Sequence, residues 1–210
     1  MTKYTIITND TILVEGKTLY RIQLTEDHPT WGKAGTLGGY IQSTQNLTGD
    51  AWVYGNARVY GNARVFGNAH VYGNAHVYGN ARIYDNAWVF GNARVYGNAH
   101  VYDNTRIYGN ARVYGEAFVS GNAQVSDDAW VSGDAWVSGY AHVYGNARVY
   151  GDALVCNDAH VYGDALVFDD TRVYGNAHVY GKARVYGHSH VYGDAQVCGD
   201  THVSGHTCIS

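Results

Sequence analysis

The chain has 210 residues and a formal net charge of −4, with 27 glycines, 20 tyrosines and a single proline. The negative charge makes duplex nucleic acid an unlikely partner, because proteins that bind it usually present a basic footprint. No apolar run approaches a membrane span, and no charged segment followed by an apolar core marks a signal peptide. Cys156, Cys198 and Cys208 are odd in number, which favours a reducing compartment. The sequence therefore predicts a cytoplasmic protein with no membrane partner.

Residues 1–38 lack the pattern that follows and predict a small β cap. Tyr4 to Thr8 and Thr11 to Val14 are β-rich runs on either side of an Asn-Asp pair, and Thr18 to Leu24 is a third run after a Glu-Gly-Lys turn. A cap of this kind is expected to cover the open strand edges of the first coil. The second predicted domain, residues 39–210, is a repeat domain.

From Gly49 to Ser210 the chain repeats one six-residue unit, Gly-Asn-Ala-Arg-Val-Tyr, 27 times without an insertion or a deletion. The fifth position is Val or Ile in every unit, and the third is small, with Ala in 22 of the 27 units. The order small, variable, aliphatic, aromatic predicts a short strand with Ala and Val on one face and the other two residues on the opposite face. The Gly-Asn or Gly-Asp pair predicts a sharp turn. Stacked units would bury the Ala-Val faces in one continuous core.

This pattern resembles the hexapeptide repeat of left-handed parallel β-helix proteins, and the resemblance covers all 27 units. It implies an all-β, single-stranded parallel β-helix that is left-handed and triangular, with about 18 residues per coil and about nine coils. Tyr follows the aliphatic residue here, where that family has Gly or an acid, so a right-handed triangular solenoid of the bactofilin type is the alternative. The run from Lys33 to Ile41, followed by Tyr-Gly-Asn-Ala repeats, is also similar to uncharacterised bacterial and phage proteins described as polymer-forming or transferase-like.

Residues 18 apart should stack on neighbouring coils, which predicts outward rows of aromatic and basic side chains. Such rows favour contact with a protein or a glycan, although stacked like residues also stabilise the coil itself. The candidate binding face consists of Trp52, His70, Trp88, Arg94, Arg112, Trp130 and Trp136.

One band departs from the repeat. Four consecutive aromatic positions become serine, namely Ser120, Ser126, Ser132 and Ser138. Three of the four neighbouring variable positions become aromatic instead: Phe118, Trp130 and Trp136. Compensation between the two positions and a bound partner at the middle of the rod both account for this exchange.

Two sets of residues are candidate metal ligands. Glu116, Asp134, Asp152 and Asp170 form a predicted corner column of carboxylates, which would repel one another or attract a cation such as Ca²⁺. His188 and His190 should stack under His206 and Cys208, and these ligands suit Zn²⁺, Ni²⁺ or Cu. Solvated surface groups are the alternative in both cases. Apart from a weak divalent cation, the sequence predicts no cofactor.

The uninterrupted repeat favours a non-catalytic structural or binding rod, because catalytic residues usually lie on irregular loops. The rod is expected to self-associate, end to end or face to face, or to dock a protein or glycan. A hexapeptide-type acyltransferase assembled as a trimer is the first alternative, and a phage factor that binds a host protein is the second. Resemblance of fold alone does not establish either activity.

Overall fold

A computed structural model describes residues 3–210; Met1 and Thr2, the first residues of the predicted cap, lie outside the described residues. The strands are β1 (Tyr4–Val14), β2 (Lys17–Leu24), β3 (Leu37–Ile41), β4 (Trp52–Val53), β5 (Arg58–Val59), β6 (Arg64–Val65), β7 (His70–Val71), β8 (His76–Val77), β9 (Arg82–Ile83), β10 (Trp88–Val89), β11 (Arg94–Val95), β12 (His100–Val101), β13 (Arg106–Ile107), β14 (Arg112–Val113), β15 (Phe118–Val119), β16 (Gln124–Val125), β17 (Trp130–Val131), β18 (Trp136–Val137), β19 (His142–Val143), β20 (Arg148–Val149), β21 (Leu154–Val155), β22 (His160–Val161), β23 (Leu166–Val167), β24 (Arg172–Val173), β25 (His178–Val179), β26 (Arg184–Val185), β27 (His190–Val191), β28 (Gln196–Val197), β29 (His202–Val203) and β30 (Cys208–Ile209). One 3₁₀ helix, Thr44–Asn46, lies between β3 and β4.

The strands form three sheets, which confirms the predicted parallel β-solenoid of about nine coils. Sheet 1 contains β1, β2, β3 and every third strand from β5 to β29; sheet 2 runs from β4 to β28, and sheet 3 from β6 to β30. Within the repeat each strand pairs in parallel with the strand one coil later, so that Trp88, for example, pairs with Arg106. No helix within residues 3–210 has the length and apolar composition needed to cross a membrane.

The core is a column of Ala and Val side chains along the axis of the rod. Val59, Val95 and Val149 are fully buried, as are the alanines two positions before them. Thr105 and Thr171 replace Ala in this column and remain fully buried, because each hydroxyl donates to a carbonyl three residues earlier. The predicted inward and outward faces are therefore confirmed.

The turns depend on a left-handed backbone conformation at the first residue of the unit. Gly115 has a φ of 74°, and a Cβ placed on it would lie 2.8 Å from the backbone nitrogen of Gly133 on the next coil. Asp occupies this position in some units and compensates locally. At Asp103, which has a φ of 60°, the carboxylate accepts a 2.8 Å hydrogen bond from the backbone N–H of Gly121. This side-chain hydrogen bond offsets part of the energetic cost of placing an aspartate, instead of a glycine, in the left-handed conformation.

The region before the repeat extends sheet 1. β1 and β2 form an antiparallel hairpin, and β2 pairs with β3, which joins β5 in parallel. The Asn9-Asp10 pair does not separate two strands, since β1 continues through it with a shift in register after Ile7. The 3₁₀ helix turns Gln45 to solvent, and Asn46 is buried in its place. The amide of Asn46 donates to the carbonyls of Gly61 and Ala63, thereby pairing backbone groups of the first coil.

Candidate binding surfaces

The repeat and the preceding segment border an open aromatic groove of about 510 Å³ on sheet 2, which we call the cap groove. It is lined by Thr30, Tyr54, Gly55, His70, Tyr72, Gly73 and Trp88. His70 and Trp88 are neighbours on β7 and β10, and their ring centroids lie 4.9 Å apart. The Tyr72 ring meets Trp88 edge to face at 6.0 Å. Stacking of the coils thus brings residues distant in sequence into one aromatic wall.

His70 lies between Tyr54 and Trp88 in the cap groove. Its Nδ1 is 3.3 Å from the hydroxyl of Tyr54, and the two rings are nearly parallel. Burial lowers the pKa of His70 below its ordinary value, and burial raises the pKa of Tyr54. Both shifts favour the neutral form of the side chain, and both side chains can donate or accept hydrogen bonds in that form.

The prediction that Trp52 belongs to an exposed binding face is wrong. Trp52 does stack one coil before His70, but its side chain is fully buried. Trp31 lies parallel to its ring at a centroid distance of 5.1 Å, and Tyr4 meets it at 6.2 Å. The hydroxyl of Tyr4 donates to the carbonyl of Leu47 at 2.8 Å, and burial raises its pKa to about 12. The segment before the repeat therefore covers the outer surface of sheet 2 as well as extending the edge of sheet 1.

The remaining predicted binding residues lie on all three sheets rather than on one surface. His70 and Trp88 belong to sheet 2, whereas Trp136 belongs to sheet 3 and is 48% exposed. Arg94, Arg112 and Trp130 follow one another on sheet 1 through the pairing of β11, β14 and β17. The Arg112 guanidinium lies 4.8 Å from the centroid of the Trp130 ring. The predicted binding residues therefore do not form one continuous face.

The carboxylate column is exposed to solvent. Glu116, Asp134, Asp152 and Asp170 lie at the same corner of the rod on four successive coils, and all four are exposed. Oδ2 of Asp170 lies 3.3 Å from Nδ1 of His188, which continues the column.

The C-terminal histidines pair along the rod. The rings of His188 and His206 stack at 5.0 Å, and His190 is the strand partner of Cys208. Across residues 3–210, no three side chains of His, Cys, Asp or Glu converge in a way that would hold a metal ion. A metal site at either place stays a prediction.

Sequence reasoning missed Thr30 and the way the N-terminal segment closes one end of the groove. Thr30 lies in a polar stretch with no periodicity, so its sequence carries no signal of position. The two tyrosines of the groove belong to an aromatic row that the repeat does predict, although nothing in the repeat distinguishes them from the other members of that row.

The repeat matches a family model described as the YdcK beta solenoid repeat. The matched segments are residues 51–63, 57–73, 63–79, 75–91, 87–103, 106–121, 117–133, 123–139 and 141–157. No curated protein matches the chain. The family match agrees with the three sheets and the buried Ala-Val column described above. On both grounds, the chain is a β-solenoid repeat protein.

Proposed function

We propose that this protein is a rigid, non-catalytic binding rod and that the cap groove holds a neutral glycan. The observation that carries the proposal is the groove itself, in which apolar ring faces and uncharged polar groups line one concave surface. Small-molecule sites generally combine concave apolar walls with a few placed polar groups.

The groove matches the two kinds of surface on a sugar ring. Trp88 is 41% exposed and, together with Tyr72, offers aromatic surface to the apolar C–H face of a pyranose. Tyr54, His70 and Thr30 also line the groove, and their polar groups would supply the hydrogen bonds to sugar hydroxyls. Because no charged side chain lines the groove, a neutral sugar fits better than an acidic one.

The repeat holds these side chains in place before a ligand arrives. The backbone N–H of His70 bonds the carbonyl of Ala87 at 2.9 Å, and the N–H of Tyr72 bonds that of Val89 at 3.0 Å. These bonds fix the backbone, and the side chains are restrained by packing of the His70 and Tyr72 rings against Trp88. A surface ordered in this way loses little conformational entropy on binding, which favours affinity.

Calorimetric titration with cellotetraose, chitotetraose and maltotetraose tests the proposal. We expect at least one of the three to bind and Trp88→Ala to weaken that binding about tenfold or more. Trp136→Ala is the matched control, because it removes an exposed indole from sheet 3 and should leave binding unchanged. Equal losses in the two variants, or no heat with any of the three sugars, would refute the glycan site.

Oligomeric state separates this proposal from the transferase alternative. A hexapeptide-type transferase is expected to form a discrete trimer, whereas a structural rod that self-associates should form dimers or open-ended polymers. Light scattering of the sugar-bound protein distinguishes these outcomes, and a trimer that turns over an acyl-CoA would favour the enzyme.

A further inference from the structure

The aromatic ladder of sheet 1 is interrupted at one position between Tyr60 and Tyr186. Its members are Tyr60, Tyr78, Tyr96, Tyr114, Ser132, Tyr150, Phe168 and Tyr186. The Tyr96 and Tyr114 rings stack at 4.9 Å and 1°, and the Tyr150 and Phe168 rings stack at 4.9 Å and 2°. Between these two stacks Ser132 stands where the neighbouring coils have an aromatic ring, and we call the resulting gap the Ser132 slot.

The Ser132 slot is a cavity of about 220 Å³. It is lined by Tyr114, Trp130, Ser132, Arg148, Tyr150 and Leu166. Since adjacent coils are about 4.8 Å apart, the rings that flank the slot are separated by roughly 10 Å. A flat ring placed midway would lie about 5 Å from each neighbour, within the 4.5–7 Å range of aromatic pairs. The vacant space therefore has the thickness of one ring.

Ser132 forms the floor of the slot and is 9% exposed. Its hydroxyl bonds no other described residue, whereas on sheet 3 the equivalent Ser120 hydroxyl accepts a hydrogen bond from Nε1 of Trp136 at 3.3 Å. The floor of the slot thus presents a donor and acceptor that the protein leaves unused.

Positive charge borders the slot on one side. The guanidinium groups of Arg112 and Arg148 lie 4.8 and 4.7 Å from the centroid of the Trp130 ring, one coil before and one coil after it. Within residues 3–210 neither guanidinium has a carboxylate at ion-pair distance. Arg148 also lines the slot and is exposed. Planar guanidinium groups without a carboxylate partner are well suited to bind phosphate or another oxyanion.

We propose that the Ser132 slot binds a flat aromatic heterocycle that carries an anionic group, of the kind found in mononucleotides. The ring completes the aromatic ladder between Tyr114 and Tyr150, and the anionic group meets Arg148, the guanidinium that lines the slot. The site is independent of the cap groove, which lies on sheet 2.

Titration calorimetry with AMP, GMP, UMP and flavin mononucleotide tests the proposal, with adenosine and inorganic phosphate as probes of the ring and the charge alone. We expect at least one mononucleotide to bind more tightly than adenosine or phosphate. Ser132→Tyr should weaken this binding about tenfold or more, because the new ring fills the slot. Arg148→Gln should weaken binding of the mononucleotide several-fold and leave binding of adenosine unchanged.

Ser126→Tyr is the matched control, because it restores a ring in the ladder of sheet 2 at the same level of the rod. It should bind the mononucleotide as the unmodified protein does. Melting temperatures at or above that of the unmodified protein would show that both tyrosine variants are folded. The proposal is overturned if Ser132→Tyr binds as tightly as the unmodified protein, if phosphate binds as tightly as the mononucleotide, or if none of the four binds at millimolar concentration.

Discussion

Val95→Asp is the sharpest test of the inward and outward faces of the repeat. Val95 is fully buried in the axial column, where it is the strand partner of Val77 and Val113. Arg94, the residue before it, is exposed on the outer face of the same strand. The two positions differ by one residue in sequence and by the whole thickness of the sheet in environment.

The expected difference follows from burial. Removing the Val side chain from the core forfeits about 1.5–3 kcal/mol of hydrophobic stabilisation. A carboxylate without a partner in that apolar column adds several kcal/mol more. The sum, of order 5 kcal/mol, is comparable with the total stability of many domains. Arg94→Asp should change stability by about 0.5 kcal/mol or less, because it replaces one exposed charge by another beside Arg112.

Urea unfolding followed by circular dichroism measures both effects. We expect Val95→Asp to be largely unfolded without urea or to unfold at a much lower urea concentration than the unmodified protein. Arg94→Asp should unfold at the same urea concentration as the unmodified protein. Val95→Ala is a milder variant that keeps the core apolar and should lie between them, at a loss of about 1–3 kcal/mol. If Val95→Asp and Arg94→Asp unfold at the same urea concentration, the assignment of faces is wrong.

Three further predictions test the turns, the N-terminal segment and the histidine rows. Gly115→Ala should lower the free energy of unfolding by about 1–2 kcal/mol, because residue 115 has a positive φ. Gly115→Asp should lower it by less, because the new carboxylate can accept a hydrogen bond from a backbone N–H of the next coil. Thermal unfolding of both variants measures the difference. Trp31→Ala should lower the free energy of unfolding by about 3–5 kcal/mol. It should also expose Trp52 to solvent, which acrylamide quenching of tryptophan fluorescence measures. Burial, together with the stacked histidines on either side, lowers the pKa of His160 below its ordinary 6.5. The unfolded chain therefore takes up this proton first as the pH falls below about 6.5, so stability should fall there, and His160→Gln should reduce that slope in unfolding measured from pH 7.5 to pH 5.

The fold of the repeat region could be predicted from sequence because every unit has the same pattern of inward and outward residues. Val53 and Val203, 150 positions apart, carry the same information about which face is buried, and both are buried in the structure. The stacking of residues 18 apart follows from the three-sided coil, and the observed pairs such as Trp130 with Arg148 confirm it. Handedness does not follow in this way, because the pattern of inward and outward side chains is the same in a left-handed and a right-handed coil.

The burial of Trp52 could not be predicted from the repeat. Its unit has the same pattern as those around Trp88 and Trp130, and the difference lies in a segment with no period. Gly38 and Gly39 permit the close approach of that segment, since a Cβ on Gly38 would lie 2.7 Å from the carbonyl oxygen of Val53. The pairing of Trp31 with Trp52 is a contact between a non-periodic residue and a periodic one, and neither sequence position identifies the other.

The two proposed sites lie where the repeat changes, at Ser132, or where another segment of the chain lies beside it, at the cap groove, and there is a physical reason to look for binding at such places. In a complete ladder each ring, such as Tyr96, has both faces covered by its neighbours, so it has little free surface for a ligand. Loss of one ring at Ser132 leaves Tyr114 and Tyr150 lining the same cavity, one on each side of the missing ring. The N-terminal segment has a similar effect at the other site, because it adds a wall beside an otherwise regular row that ends in Trp88. In a rod whose regular surface is convex and self-paired, we infer that binding specificity arises from such local exceptions, which can change in sequence without disturbing the Ala-Val column that holds the coils together.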